Sequence, residues 1–192
     1  MVMRSDAGVQ DMGKAAVLPF DISPIQLGTT GTVSGMGFEV IGRVRWGWAD
    51  GSWNEWLLLG VDGAHRWLGE AMGQFMLLAE QDAAALESEP FKTYVNGGTL
   101  SIGQAAPLAG ITYQVADIKD ATCIGSEGEL PFATPPKWTV NSVDFRSDSG
   151  ACASLQRDEL GVSLYAGSYV ELADLKPNYL REIEGWPMPR FA

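Results

Sequence analysis

Alternation of apolar and polar side chains dominates the first half of the chain. From Phe38 to Trp46, apolar residues fall on one face of an extended chain, and Glu39, Arg43 and Arg45 fall on the other. A period of two is typical of a strand with one buried face. The segment therefore predicts a half-buried β-strand.

Turn signals divide the rest of this half into further short strands. Asp50-Gly51 and Asp62-Gly63 are dipeptides that favour tight hairpin turns. Connections this short force antiparallel pairing, because a parallel crossover needs a dozen or more residues. The pattern predicts a five-stranded antiparallel meander that twists into a small barrel or a tight sandwich. The strands expected after the first turn are 53–59, 65–68 and 74–79.

A second copy of this pattern begins 75 positions later. The segment LGTTGTVSGMGFEV from Leu27 resembles IGQAAPLAGITYQV from Ile102, with glycine opposite glycine and apolar residue opposite apolar residue. GQFMLLA from Gly73 also resembles GSYVELA from Gly167, at an offset of 94. Such self-similarity indicates internal duplication. We expect a mainly β fold in which two related antiparallel units, each a small barrel or sandwich, pack as one body.

The expected strands set the domain boundaries. A unit of about 60 residues is only marginally stable alone, so the two units should fold as one cooperative body. The segment AEQDAAALESE between them is rich in helix-forming residues and predicts one short helix before Pro90. The predicted parts are an N-terminal tail (1–21), a first β unit (22–80), a connector (81–98), a second β unit (99–176) and a C-terminal tail (177–192).

Composition narrows the possible ligands. Apolar residues make up 46% of the 192 residues and charged ones 19%, which is the balance of a folded globular chain. With 13 basic and 24 acidic residues the net charge is -11, so the surface repels phosphate and anionic lipid. We expect no nucleic acid ligand and no direct membrane insertion. The first residues lack the apolar run of a signal peptide, so we expect a cytoplasmic protein.

Metal and cofactor motifs are not found in the sequence. Cys123 and Cys152 have no CxxC spacing, and His65 is the one histidine, whereas a structural zinc site needs about four such ligands. Phosphate-loop, dinucleotide and nucleophile-elbow motifs are also missing. We therefore expect no metal and no cofactor. His65 could act as a general base, but its place beside a turn favours an ordinary surface residue.

Tryptophan is concentrated in one region, where five of the seven residues lie within 22 positions. Trp53 and Trp56 have opposite parity on one predicted strand, so one ring should be buried and the other partly exposed. Trp53, Glu55 and Trp56 are therefore our candidate binding residues, at the centre of an aromatic patch. The alternative is that the tryptophans fill the inside of a small barrel.

Carboxylates supply the candidate catalytic residues. Glu129 could act with Asp144 or Glu159 in a cleft between the two units, with Asp158 close by in the sequence. Paired carboxylates can serve as acid and base or can hold a cation, depending on their separation. The alternative is a solvated acidic rim, since exposed carboxylates are usually not catalytic.

Several short motifs resemble the domain of unknown function family 4178. They are WNEWLLL from Trp53, RWL from Arg66, the GELP segment ending at Pro131, the step around Asp144, and SLQRDELGVSLYAG from Ser154. The similarity extends over about residues 23–175. Two positions depart from the family pattern: Phe132 follows GELP where tryptophan is frequent, and the glutamate after Ser154 is displaced towards Asp158 and Glu159.

The resemblance implies no established activity, although it suggests a genomic association with membrane-stress and phage-shock-like systems. Our leading hypothesis is a non-enzymatic interaction module that presents a sheet edge or an aromatic patch to a protein partner. The alternative is an enzyme of unrecognised type with a carboxylate site between the two units. The sequence leaves the oligomeric state and the identity of the partner open.

Overall fold

The computed structural model describes residues 22–185 and the backbone of 2–5 and 8–11. These residues form twelve strands, the short helix α1 (Phe91–Val95) and two 3-10 helices (Ala83–Glu87 and Leu172–Leu175). The strands are β1 (Val2–Ser5), β2 (Gly8–Asp11), β3 (Thr30–Val33), β4 (Met36–Trp48), β5 (Gly51–Gly60), β6 (His65–Ala71), β7 (Gln74–Glu80), β8 (Ala105–Leu108), β9 (Ile111–Leu130), β10 (Thr139–Arg146), β11 (Ala151–Arg157) and β12 (Val162–Val170).

Two antiparallel meanders make up most of the molecule. Strands β3 to β7 pair in sequence order, each with the next. Strands β8 to β12 do the same in the second half of the chain. The predicted mainly β, antiparallel fold is thus confirmed, and its short connections are the hairpin turns that the Gly-containing dipeptides indicate.

The two meanders close on each other to form one barrel. Strand β7 pairs with β12, and β4 pairs with β9, both antiparallel. The ring β4-β5-β6-β7-β12-β11-β10-β9 therefore returns to its start and contains eight strands. Closure removes the free edges that each meander would otherwise expose. The structure differs here from the predicted separate closure of two units, because the edge strands of each half pair with those of the other.

Strand β9 makes this closure possible through its length. It has 20 residues, and its first part, from Gln114 to Thr122, pairs with β10. Its second part, from Thr122 to Gly128, pairs with β4. A shift in register between Arg45 and Trp46 lies in this second pairing. Bulges of this kind bend a strand, which a closed sheet requires.

Apolar side chains form three clusters, one inside the barrel and two outside it. The inner cluster includes Val44, Leu57 and Trp67. On the outer face of the first half, residues around Ile25 and Leu175 cover the strands. On the outer face of the second half, Phe91 and Tyr94 of α1 do so. Strands covered on both faces lose strict alternation, and the consecutive residues 56–58 are accordingly all buried.

The connector and tails differ in part from expectation. Instead of one helix before Pro90, the connector has a 3-10 helix before this proline and α1 after it. The backbone of β1 pairs with β2 and with the end of β9, and the other residues of the predicted N-terminal tail lie outside the described residues. In the C-terminal tail, Asn178 bridges to Thr30. Within the described part of the chain, none of the helices is long and apolar enough to cross a membrane.

The two hairpins that begin the meanders have the same type of turn, with glycine at the second central position. Ser34 and Gly35 join β3 to β4 with φ of 50° and 81°, and Ala109 and Gly110 join β8 to β9 with φ of 49° and 81°. Positive φ at both central residues defines a type I′ turn, whose twist matches that of the paired strands. Nothing lies within 4 Å of a Cβ built on Gly110, so the backbone angle alone demands glycine there.

Replacing Gly110 with valine should therefore lower the free energy of unfolding by ~1–2 kcal/mol, since a β-branched residue tolerates positive φ poorly. Gly110→Asn is the matched control and should retain most of the stability, because asparagine accepts this conformation. Thermal unfolding followed by circular dichroism measures both variants. Equal midpoints for the valine variant and the native chain would contradict the assigned turn.

Candidate functional site

A cavity of about 450 Å³ occupies the inside of the barrel. It reaches two strand turns at which lining side chains are exposed: Met72 between β6 and β7 is 90% exposed, and Leu160 between β11 and β12 is 80% exposed. These turns lie at opposite ends of the barrel, because β7 and β12 are antiparallel with Phe75 opposite Val170. The cavity thus extends towards both ends of the barrel.

Tryptophan rings from β4 and β5 form one wall of the cavity. Trp46 stacks on Trp53 with ring centroids 6.2 Å apart, and Trp48 lies 5.5 Å from Trp53. Trp46 and Trp53 are directly opposite each other on paired strands, so their side chains share the inner face. The alternating positions of two adjacent strands therefore generate a continuous aromatic surface.

The segment between β9 and β10 adds two more rings. Trp138 approaches Trp46 with centroids 4.7 Å apart, and Phe132 stacks on Trp67 at 5.8 Å. The indole nitrogen of Trp138 donates a hydrogen bond to Asp158 Oδ2 over 2.9 Å. This segment thus packs against the aromatic wall and is fixed to the β11–β12 turn.

Glu55 is the central polar residue of the cavity. Its carboxylate accepts hydrogen bonds from the indole nitrogens of Trp46 at 2.8 Å and Trp53 at 3.0 Å, and from Gln156 Nε2 at 2.7 Å. Because β5 and β11 are four strands apart in the ring of eight, the bond to Gln156 crosses the lumen. Burial raises the pKa of Glu55, and the three donors oppose that shift.

Asp144 faces the same cavity from β10. Burial raises its pKa to about 6, and the nearby charge of Glu55 acts in the same direction. A hydrogen bond from Ser154 and the positive charge of Lys119 lower the pKa in part. Lys119 itself forms an ion pair with Asp117. The pKa of Asp144 thus lies close to the physiological range, where small changes in its surroundings alter its charge.

Two buried serines complete the polar part of the wall. Ser154 lies opposite Asp144 on the neighbouring strand, and Ser142 lies two residues before Asp144 on the same strand. Ser142 is 6% exposed and lines the cavity, and its hydroxyl makes no hydrogen bond to any residue in the described ranges. The Ser142 hydroxyl can therefore both donate and accept a hydrogen bond in the cavity.

Three of the residues predicted to form a site do line this cavity. They are Trp53, Glu55 and Asp144, and Asp158 joins them through its bond to Trp138. Trp53 keeps part of its surface accessible, as strand parity requires, but this surface faces the lumen. The alternative interpretation of the sequence, that tryptophans fill the inside of a barrel, thus describes several of these rings.

The other candidates lie elsewhere. Trp56 is 0% exposed on the outer face of β5, where its indole nitrogen donates to Glu70. Glu129 precedes the inward-facing Leu130 and therefore points away from the lumen. Glu159 is exposed in the β11–β12 turn. The structure thus does not bring Glu129 or Glu159 into the cavity with Asp144.

Histidine and cysteine contribute little to the site. His65 is exposed at the start of β6. Cys152 is buried in the inner wall, where burial raises the pKa of its thiol to about 12 and keeps it protonated. Cys123 and Cys152 are both free thiols. In the residues that the structure covers, no group of three or more His, Cys, Asp or Glu side chains could hold a metal ion.

Sequence reasoning missed Ser142, Ser154 and Gln156. A signal for them exists, since polar residues alternate with apolar ones in SVDF from Ser142 and in SLQ from Ser154. A period of two predicts a polar face on each strand, but not that this face turns inward. The pairing of Ser142 with Gln156 and of Asp144 with Ser154 joins the two polar faces side by side.

Comparison with known proteins gives one match. Residues 26–172, which are most of the chain, match the family described as Domain of unknown function (DUF4178). No curated protein and no solved structure shows significant similarity.

Replacing Trp53 and Trp56 with alanine, one at a time, should give unequal losses of stability. Trp56→Ala should cost ~3–5 kcal/mol, because it empties a fully buried site and removes a donor to Glu70. Trp53→Ala should cost less than about 2 kcal/mol, since the ring already borders empty space. Chemical unfolding of both variants measures this difference. Equal losses would show that the two rings have similar environments.

The raised pKa of Asp144 predicts a dependence of stability on pH. Between about pH 4 and 6 the folded chain keeps a proton that the unfolded chain releases, so folding becomes less favourable as pH rises. Relative to Asp144→Asn, native stability should fall by about 2 kcal/mol over this range, after allowance for partial solvent access. Urea unfolding across the range measures the difference. A constant difference would show that the pKa of Asp144 is unshifted.

Proposed function

We propose that this chain, which belongs to the DUF4178 family, is a non-enzymatic module that binds a small organic molecule inside its barrel. The family description assigns no activity, so the proposal depends on the cavity. The observation that carries it is an internal space of about 450 Å³ whose wall combines tryptophan rings with charged and polar side chains.

Size and lining both favour a ligand site. Pockets for small molecules have volumes of about 300–1,000 Å³ and combine apolar walls with a few convergent polar groups. Here the tryptophans supply the apolar walls, and Glu55, Asp144 and Ser142 supply the polar groups. A core that served stability alone would be filled at the density of an organic crystal. An open lumen costs packing energy, which a bound ligand would recover.

The arrangement of carboxylates favours binding over catalysis. Glu55 accepts three hydrogen bonds from protein donors, so its capacity serves to hold Trp46, Trp53 and Gln156 in place. Glu129, which the alternative enzyme would use with Asp144 or Glu159, lies outside the cavity, and so does Glu159. These positions support the non-enzymatic hypothesis and move its binding surface from an exposed patch to the lumen. A protein partner on the outer surface is the competing outcome of the experiment below.

We also propose that the halves 22–80 and 99–176 arose by internal duplication. Equivalent backbone bonds recur at the same offset of 75: Gly28 N donates to Val40 O over 2.9 Å, and Gly103 N donates to Val115 O over 2.8 Å. The two type I′ turns described above share this offset. The second sequence match does not support the proposal, because Gly73 lies in a turn whereas Gly167 lies within β12.

Binding is tested by filling the cavity. A charge-balanced set of small aromatic and aliphatic amines, alcohols and carboxylates is titrated while NMR follows the indole N–H signals of Trp46 and Trp53. Gly69 is opposite Glu55 and lines the lumen, and a Cβ there meets Met76 at an ordinary 3.5 Å. Gly69→Leu should therefore fold yet weaken binding at least about tenfold, or ~1.4 kcal/mol.

Ala79→Leu is the matched control, since Ala79 is exposed on the next strand. It should bind the same fragments as the native chain. Gly69→Ala adds a smaller side chain and should give an intermediate loss of affinity. It keeps the test valid if the leucine variant folds poorly. If no fragment moves the indole signals, or if Gly69→Leu binds as the native chain does, the cavity is not the site and an outer protein interface becomes the better hypothesis.

A further inference from the structure

The geometry points to an organic cation as the ligand class: we propose that the ammonium group of a small amine binds beside Asp144 and Ser142, with its hydrocarbon part against the tryptophan rings. This inference rests on the proposed function and adds the chemistry of the ligand.

The balance of charge around the lumen favours a cation. Carboxylates outnumber basic side chains among the lining residues, and the basic Lys119 is already paired with Asp117. An anionic ligand would face uncompensated negative charge in a region of low dielectric constant, where repulsion is strong. The acidic side chains that face the lumen are Glu55, Asp117, Asp144 and Asp158, and the basic ones in the lining are Lys119 and Arg146.

Hydrogen-bonding capacity places the ammonium group at β10. Ser142 and Asp144 are two residues apart on one strand, so they face the cavity side by side at a spacing of about 7 Å. Ser142 is 6% exposed and its hydroxyl has no hydrogen-bond partner among the described residues, and Asp144 lies opposite Ser154 on the neighbouring strand. An ammonium group has three donors and can bond both side chains at once.

Aromatic rings provide the second part of the recognition. Cations are attracted to the faces of tryptophan rings within about 6 Å of the ring centre. The protein already uses this interaction at the cavity, where Lys119 Nζ lies 5.1 Å from the centre of the Trp48 ring. Trp46, Trp53 and Trp138 extend the same surface into the lumen. A cavity lined by a carboxylate and by several indole rings is a suitable environment for an alkylammonium or arylalkylammonium ion.

Protonation of Asp144 couples this site to pH. Its pKa of about 6 reflects burial and the charge of Glu55, with Ser154 and Lys119 acting in the opposite direction. A bound cation stabilises the charged carboxylate, so affinity should fall as pH decreases through this range. Amines of ordinary basicity remain protonated there, so the loss would arise from the protein.

Matched ligands that differ in charge provide the test. The panel is hexylamine, hexanol and hexanoate, together with benzylamine, benzyl alcohol and benzoate, measured by isothermal titration calorimetry at pH 7.5. At least one amine should bind ten times more tightly than its alcohol or its carboxylate. Asp144→Asn should weaken amine binding at least tenfold and leave alcohol binding unchanged. Ser142→Ala should weaken it less, and Asp148→Asn in the exposed β10–β11 turn is the control that should change nothing.

Three results would overturn the inference separately from the proposed function. If the alcohols or carboxylates bind as tightly as the amines, the lumen is a site for another ligand class. If Asp144→Asn keeps the preference for amines, the ammonium group does not bind at Asp144. If none of the six ligands binds while the broader fragment set does, the proposed function stands and the cation assignment fails. If neither set binds, both proposals fail.

Discussion

The architecture depends on the pairing of β4 with β9 and of β7 with β12, the two seams at which the halves of the chain meet. Each seam requires backbones to approach more closely than a side chain allows. A Cβ on Gly128 would overlap the carbonyl oxygen of Ile41, and a Cβ on Gly167 would overlap that of Leu77. Gly42, opposite Gly128, faces a similar overlap with Glu129. Glycine at these positions permits closure, and closure creates the lumen.

Closure of the barrel also explains why its interior can contain a ligand site as well as packed apolar side chains. Eight strands are enough to surround a space that side chains can either fill or leave open for one small ligand. Here Val44, Leu57 and Trp67 fill part of it, and the rest stays open between the tryptophan wall and Asp144. Much of the remaining apolar burial is supplied by the outer clusters beneath α1 and the segment around Ile25. The barrel can therefore maintain a cavity without depending on a single packed interior.

Much of the local structure could be predicted from the sequence. Alternation from Phe38 to Trp46 indicated a strand, although a register shift after Val40 places Phe38 and Val40 on the outer face and Val44 and Trp46 on the inner one. The opposite parity of Trp53 and Trp56 correctly separated a half-buried ring from a buried one. These features depend on neighbouring residues, whose geometry follows from the period of a strand.

The assembly of the site could not be predicted, because it depends on contacts between distant segments. Glu55 and Asp144 lie 89 positions apart and meet only when the two meanders close on each other. Trp138 lies just before β10, where no periodic pattern reveals its direction. Glu129 is a candidate from the sequence, but the inward orientation of Leu130 turns it outward. Once the inner face of a strand is known, the alternation of side chains gives the direction of each residue. Only the closed sheet defines which face is the inner one.

The central claim is that the lumen holds a small organic cation between Asp144 and the tryptophan wall. A crystal structure of the protein grown at pH 7.5 with benzylamine tests it most directly. The account predicts ligand density inside the barrel, with the nitrogen within hydrogen-bond distance of the Asp144 carboxylate and the Ser142 hydroxyl and the ring against Trp46 or Trp53. An empty lumen at saturating benzylamine, or a nitrogen directed away from Asp144, would contradict the claim.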